Sequence, residues 1–194
     1  TFAMSEALTI IFKENDPTKA AKQISLSQLG SIKLDKDETK KMVTTIPRSS
    51  VLGFIIGVLP GAGATIASFL AYGMERNFVN DEEKQKFGKG SVNGIAAPET
   101  ANNAACSGSF VPLLTLGIPG SGTTAVMLGA LLGFGIQPGP RLHQTNPEIF
   151  WSVIMSMYIG MVVLLILNLP LIPYIARVLA TPRTFLIPLI LFFS

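Results

Sequence analysis

Two interruptions rich in proline and glycine, each set inside a long uncharged stretch, constrain this chain more than any other feature. Ser49 to Met74 holds no charged side chain, and its centre reads Leu59-Pro60-Gly61-Ala62-Gly63-Ala64-Thr65. Gly90 to Pro140 holds one, Glu99, and its middle reads Leu116-Gly117-Ile118-Pro119-Gly120-Ser121-Gly122-Thr123-Thr124. Proline removes a backbone donor and clashes with the preceding turn, and glycine frees the backbone, so neither stretch is expected to run as one unbroken helix. Pro60, Gly61, Gly63 and Thr65 recur at the same spacing as Pro119, Gly120, Gly122 and Thr124, a short internal repeat of the helix-breaking unit.

The surroundings of these breaks point to lipid. Of 194 residues, 48% are hydrophobic and 14% charged, with mean hydropathy +0.48, whereas a soluble domain carries about 25% charge. Hydrocarbon cannot pair open backbone groups, and no short alternating segments suggest a barrel, so the expected class is an all-α integral membrane protein of polytopic helices. The net charge is +3, and eight of the 15 Lys/Arg lie between Lys13 and Arg48 among several acids, a pattern that is not organised as a groove for nucleic acid. A single cysteine, Cys106, excludes an internal disulfide, and no Cys/His cluster has metal-ligand spacing. No metal, resident cofactor or enzymatic constellation is expected.

Charge divides the chain further. Residues 1–12 read as the end of a preceding membrane or interfacial helix, too short to span on their own. Residues 13–48 read as a basic cytoplasmic loop carrying Lys13, Lys19, Lys22, Lys33, Lys36, Lys40, Lys41 and Arg48. Residues 49–74 form the first broken helix or re-entrant hairpin, and 75–90 a second loop with Arg76, Lys84, Lys86 and Lys89. Lys and Arg mark cytoplasmic loops, so a hairpin, which keeps both basic stretches on one side, is preferred to a single span. Each arm of about 11 residues would reach roughly 16 Å, to mid-bilayer. Residues 91–137 hold the second broken segment and 138–148 a polar connector. Residues 149–169 form a transmembrane helix with Trp151 and Tyr158 as interfacial anchors, which Pro170 and Pro173 end or kink, and 170–194 are Pro-interrupted helices.

A broken membrane helix leaves orphan N–H and C=O groups, so it persists where it is buried in protein or lines a polar cavity. Half-helices starting near Ala64 and Thr123 would present free N–H groups and a partial positive charge to an anion. The expected substrate-binding residues are therefore Pro60, Gly61, Ala62, Gly63 and Thr65 from one break, and Pro119, Gly120, Ser121, Gly122, Thr123 and Thr124 from the other. No Lys or Arg lies between Lys89 and Arg141, which leaves helix dipoles, co-bound Na⁺ or H⁺, or residues outside this chain to balance an anion. The competing reading is that both motifs only kink helices for close packing. Glu99 reads either as an ion or proton ligand, costly in lipid and so functional, or as the start of a helix after Pro98. Asn102 and Asn103 either contact substrate or ion, or bridge helices.

Gly117 to Thr124 also has the spacing of a phosphate-binding G-x-x-x-x-G-K-[ST] loop, but Thr123 stands where lysine is needed, so nucleotide binding is not expected. His143 reads as a solvated loop side chain, Cys106 as packing among small residues, and Met155, Met157 and Met161 as lipid-facing or core.

Gly57 to Phe69, Gly94 to Ala104, and Leu116 to Ala130 followed by Pro138-Gly139-Pro140 resemble the large permease subunit of the tripartite tricarboxylate transporters, the TctA family. Phe2 to Leu8 and Arg48-Ser49 fit the same pattern, which covers essentially the whole chain and corresponds to the C-terminal portion of that subunit. The resemblance implies a multi-pass protein of the bacterial inner membrane in a secondary transporter. Its partners would be a small membrane subunit and a periplasmic solute-binding protein, its substrate citrate or a related carboxylate, and its driving force an ion gradient. An ion or solute channel, or a structural membrane subunit without a site, is the alternative. The long basic loop before Arg48 has no role assigned by the resemblance.

Overall fold

A computed structural model describes residues 35–179. The expectations for 1–12, for 13–34 and for 180–194 lie outside the described residues. The chain divides into two compact units, 33–159 and a second made of 1–32 with 160–194, and the described residues contain helices and no strand. They are α1 Lys36–Val58, α2 Gly63–Phe78, α3 Asp81–Lys84, α4 Val92–Gly108, α5 Phe110–Leu116, α6 Gly122–Gly133, α7 Leu142–Thr145 and α8 Pro147–Leu179.

Helix α1 starts well before the expected boundary at 49, inside the segment read as loop. The reason is local: Asp35 caps the helix, and the Glu38 carboxylate accepts from the Asp35 N–H at 2.9 Å in a reciprocal capping box. The helix ends where Pro60 and Gly61 require it to, and Gly61 (φ 83) and Gly63 (φ 69) take left-handed conformations open to glycine. The chain then doubles back. Glu75, near the end of α2, accepts from Thr45 Oγ1 at 2.8 Å and from Arg48 Nη2 at 2.8 Å near the start of the apolar part of α1.

The second break is built differently. Helix α4 opens with Ser91 as N-cap, so Pro98 sits inside the helix and does not start one. This removes the reading of Glu99 as a residue of a helix's first turn. A short α5 ends at Gly117, whose φ of 70° makes a left-handed cap. The Gly117 and Ile118 N–H groups return to Leu113 and Pro112 carbonyls at 3.1 and 3.2 Å. Gly120 and Gly122 do not have positive φ, so the two sequence repeats coincide in position along the chain but not in backbone conformation. Helix α8 runs through Pro170 and Pro173 without ending, so of the expected end or kink at these prolines the end does not occur. Its Pro147–Ile172 portion, 26 residues of hydropathy 2.4, is long and apolar enough to cross a membrane.

Helices α1, α2 and α4 pack against one another through small residues. The buried positions recur at every fourth residue: Thr45, Ser49, Gly53 and Gly57 on α1, Ala67, Ala71 and Glu75 on α2, and Asn93, Ala97, Ala101 and Ala105 on α4. A Cβ on Gly53 would lie 2.6 Å from Ala101 Cα, and one on Gly57 2.6 Å from Ala105 Cα. Backbones this close need glycine, the arrangement used where lipid offers no hydrophobic drive between helices. Large apolar side chains point outward instead: Val51 is 62% exposed, Phe69 75% and Ile95 68%. Small residues inside and bulky ones outside are the distribution expected of a protein whose solvent is hydrocarbon.

Candidate functional site

The end of this bundle away from Thr45 and Glu75 carries both breaks. They line a single cavity of about 690 Å³. Gly61, Gly63, Ala64 and Thr65 supply one wall, Pro119 through Ala125 another, and Cys106, Ser109 and Phe110 the junction of α4 with α5. Gly63, Ala64 and Thr65 are the first residues of α2, and Gly122, Thr123 and Thr124 the first of α6. The N-terminal turns of two helices therefore face one space, and the residues lining it include no charged side chain. Backbone N–H groups of such turns lack intrahelical partners and carry the positive end of the helix dipole.

The two termini differ. Ser121 caps α6: its N–H donates to Thr124 Oγ1 at 2.8 Å, and its Oγ accepts from the Thr124 N–H at 3.3 Å. Thr124 is 1% exposed and its hydroxyl is spent on this box. Helix α2 has no side-chain cap, and Thr65 and Thr123 are exposed to the cavity. Gly120 is buried, and a Cβ there would meet Ser109 Cβ at 3.0 Å and the Gly57 carbonyl oxygen at 3.5 Å. The second break is thereby seated against the helix that leads to the first. Gly139 N–H reaches the Leu114 carbonyl at 3.2 Å, so the turn-rich exit satisfies part of the open end of α5.

Of the residues singled out in the sequence, Gly61, Gly63, Thr65, Pro119, Gly120, Ser121, Gly122, Thr123 and Thr124 share the cavity, whereas Pro60 and Ala62 do not line it. Glu99 and Asn103 are exposed on α4, and Asn102 is half-buried. None of these three lines the cavity. Asn102 donates to Ser68 Oγ at 3.3 Å, and Ser68 donates to the Pro98 carbonyl at 3.1 Å, which ties α4 to α2. Asn103 donates to the Glu99 carbonyl at 2.9 Å within its own helix. Cys106 is an exposed cavity thiol, not the packing residue expected.

Sequence reasoning missed the polar end of the bundle. Glu75, fully buried, accepts from Arg48 Nη2 at 2.8 Å and from Arg48 Nε at 3.1 Å, a bidentate pair along one guanidinium edge, and Asn93 donates to Thr45 Oγ1 at 2.8 Å and to Glu75 Oε1 at 3.2 Å. Arg48 also stacks 4.5 Å from the Phe78 ring centre. Beyond it, Glu83 accepts from Lys41 at 3.0 Å, from Ser91 at 3.0 Å and from Lys86 at 3.3 Å. Burial pushes the Glu83 carboxyl up, but the hydrogen bonds from Lys41, Ser91 and Lys86 outweigh it and hold the group below its ordinary 4.5. The hydrogen bond to Glu83 raises the Lys41 ammonium above its ordinary 10.5. The signal that was available is the four-residue spacing of Ala67, Ala71 and Glu75, which puts that carboxylate on the buried stripe of α2.

The sequence matches the family described as "Tripartite tricarboxylate transporter TctA family" over residues 1–194. The chain belongs to that family. An Agrobacterium vitis protein described as "Uncharacterized 52.8 kDa protein in TAR-I ttuC' 3'region" is 38% identical over 193 residues, covering 100% of this chain and 37% of that protein. A second from the same organism, "Uncharacterized protein in TAR-II ttuC' 3'region", is 46% identical over 142 residues, covering 73% of this chain and 58% of that protein. The chain thus spans less than two thirds of either relative. No solved structure matches it. Membership of a transporter family, together with a helix long enough to span and bulky side chains turned outward, assigns this chain to a membrane.

Proposed function

We propose that this chain is the substrate-holding part of the large permease subunit of a secondary active transporter that imports tricarboxylates or related carboxylates. The supporting observation is that both Pro-Gly breaks, far apart in sequence, line one cavity with the N-terminal turns of α2 and α6 directed into it. An anionic carboxylate there would accept from the free N–H groups of Gly63, Ala64 and Thr65, and from those of Gly122 and Thr123, with the Thr65 and Thr123 hydroxyls adding donors. The lining has no cation of its own, so a co-transported Na⁺ or H⁺ offsets part of the substrate charge. Glu99, outside the cavity, is assigned to the ion pathway.

In this reading α1 with α2, and α4 with α5 and α6, form re-entrant segments in the bacterial inner membrane. Their polar ends near Arg48, Glu75 and Glu83 lie at the cytoplasmic face and the breaks lie at mid-bilayer. A small membrane subunit and a periplasmic solute-binding protein complete the transporter. The test is radiolabelled citrate uptake by vesicles holding the full-length permease, its small subunit and its receptor, with Na⁺ and pH gradients imposed separately. Saturable, receptor-dependent uptake driven by one of the gradients is expected. Uptake that is indifferent to receptor and to both gradients would identify a channel instead.

A further inference from the structure

The packing of α4 on α1 has a property that small side chains alone leave undetermined. Gly53 faces Ala101 and Gly57 faces Ala105, while Thr45 is bonded by Asn93 at 2.8 Å. All three pairs share one offset in sequence, so the two helices run parallel in a single register. A shift of α4 by one turn would place Gly53 against Ala97 and Gly57 against Ala101, or Gly53 against Ala105 and Gly57 against Ser109. Every new pairing is again small against small. Stripes repeating at four residues are self-similar under a displacement of about 6 Å, and one-turn ratchets between packed elements are a known form of alternative packing. Helix α2 has no such freedom against α1, because residues 59–62 join them directly.

We propose that Asn93, assisted by Asn102, is a positioning residue that fixes the axial register of α4 and so brings the two breaks to the same level. The Asn93 amide reaches the Thr45 hydroxyl on α1 and the Glu75 carboxylate on α2 from a site 95% buried, and a shift by one turn would lose both partners. Asn102 makes a second fixed contact, through Ser68, to the middle of α2. On the solvent side, Ser91 and Glu83 add a third. A buried amide setting the register of otherwise repetitive helices is the best attested use of internal polar groups. The consequence falls at the far end, where Gly120 rests against Ser109 and the Gly57 carbonyl. A one-turn slip would carry α5 and the second break about 6 Å past the first and separate the walls of the cavity. The inference concerns helix register, and its link to transport rests on the carboxylate-site reading above.

The test is a pulsed electron-paramagnetic-resonance distance between spin labels at Val43→Cys, exposed on α1, and the native Cys106 on α4, in the full-length permease with other cysteines replaced. The expected result for Asn93→Ala is a second distance component displaced by about 6 Å, absent when Asn93→Gln keeps the amide donor. Citrate uptake by the unlabelled Asn93→Ala protein should fall in proportion to the displaced fraction. A single, unshifted distance in Asn93→Ala overturns the proposal, whatever happens to uptake. If that variant does not reach the membrane, the same measurement on Asn93→Ser, which keeps a small polar side chain but loses the amide that reaches Thr45 and Glu75, decides in the same way. A displaced distance with full uptake would instead retain the register lock and remove the cavity from transport.

Discussion

At the scale of single residues, glycine permits close backbone approach at some positions of this fold and is unconstrained at others. Gly53 and Gly57 are helical and are required because Ala101 and Ala105 occupy the space a side chain would need. Gly57→Ala should therefore destabilise the full-length permease by about 1–3 kcal/mol through overpacking, measured as thermal unfolding in detergent. Gly73 lies in the same hairpin with nothing within 4 Å of a built Cβ; Gly73→Ala should be neutral or stabilising by up to about 1 kcal/mol. Equal losses in both would remove close backbone approach as the explanation. Glu75 and Arg48 make a second contrast. Arg48→Ala leaves a fully buried carboxylate without its cation and should cost about 3–5 kcal/mol. Glu75→Gln, which neutralises the acid and keeps its shape, should cost less.

At the scale of elements, the Glu83 cluster joins α1, α3 and the N-cap of α4. Because Glu83 sits below its ordinary 4.5, its stabilising contribution is present above that value and is lost as pH falls through the lower folded-state value. Lys41, held above 10.5, contributes below that value and loses its contribution as pH rises through the higher one. Amide hydrogen exchange over residues 81–94, corrected for its intrinsic pH dependence, should be flat near neutrality and accelerate in acid. Acceleration confined to α6 would contradict this assignment. The breaks at Pro60 and at Gly117 to Ser121 were legible in the sequence because proline and glycine act on their own backbone. The interiors of α4 and α8 were not, since Pro98, Pro170 and Pro173 stay within helices whose context tolerates them. The start of α1 at Lys36 was hidden by its charge, which reads as loop until the Asp35 and Glu38 capping box is recognised. The contact of Asn93 with Thr45 depends on a pairing across 48 residues, which no local pattern reports.

At the scale of the whole molecule, a bundle held by small side chains carries charge at one end and the N-terminal turns of two helices at the other, and the cavity between the breaks is where we propose that an anion is held. Gly61→Val, which forces a branched residue to φ 83, and Gly120→Val, which drives a side chain into Ser109, should each abolish citrate uptake in the complete transporter while membrane insertion is retained. Glu99→Gln should weaken the dependence of uptake on the ion gradient; an unchanged dependence would leave Glu99 a lipid-facing or structural side chain. The most direct measurement of the central claim is ligand protection of cavity thiols. Thr65→Cys and Thr123→Cys, one from each break, each in a background with Cys106 and the other cysteines replaced, would be modified by a charged methanethiosulfonate in membranes holding the full-length permease, with and without citrate. The account predicts that citrate slows modification at both positions over the same concentration range. Protection at neither position, or at only one of them, would contradict a single site shared by the two breaks.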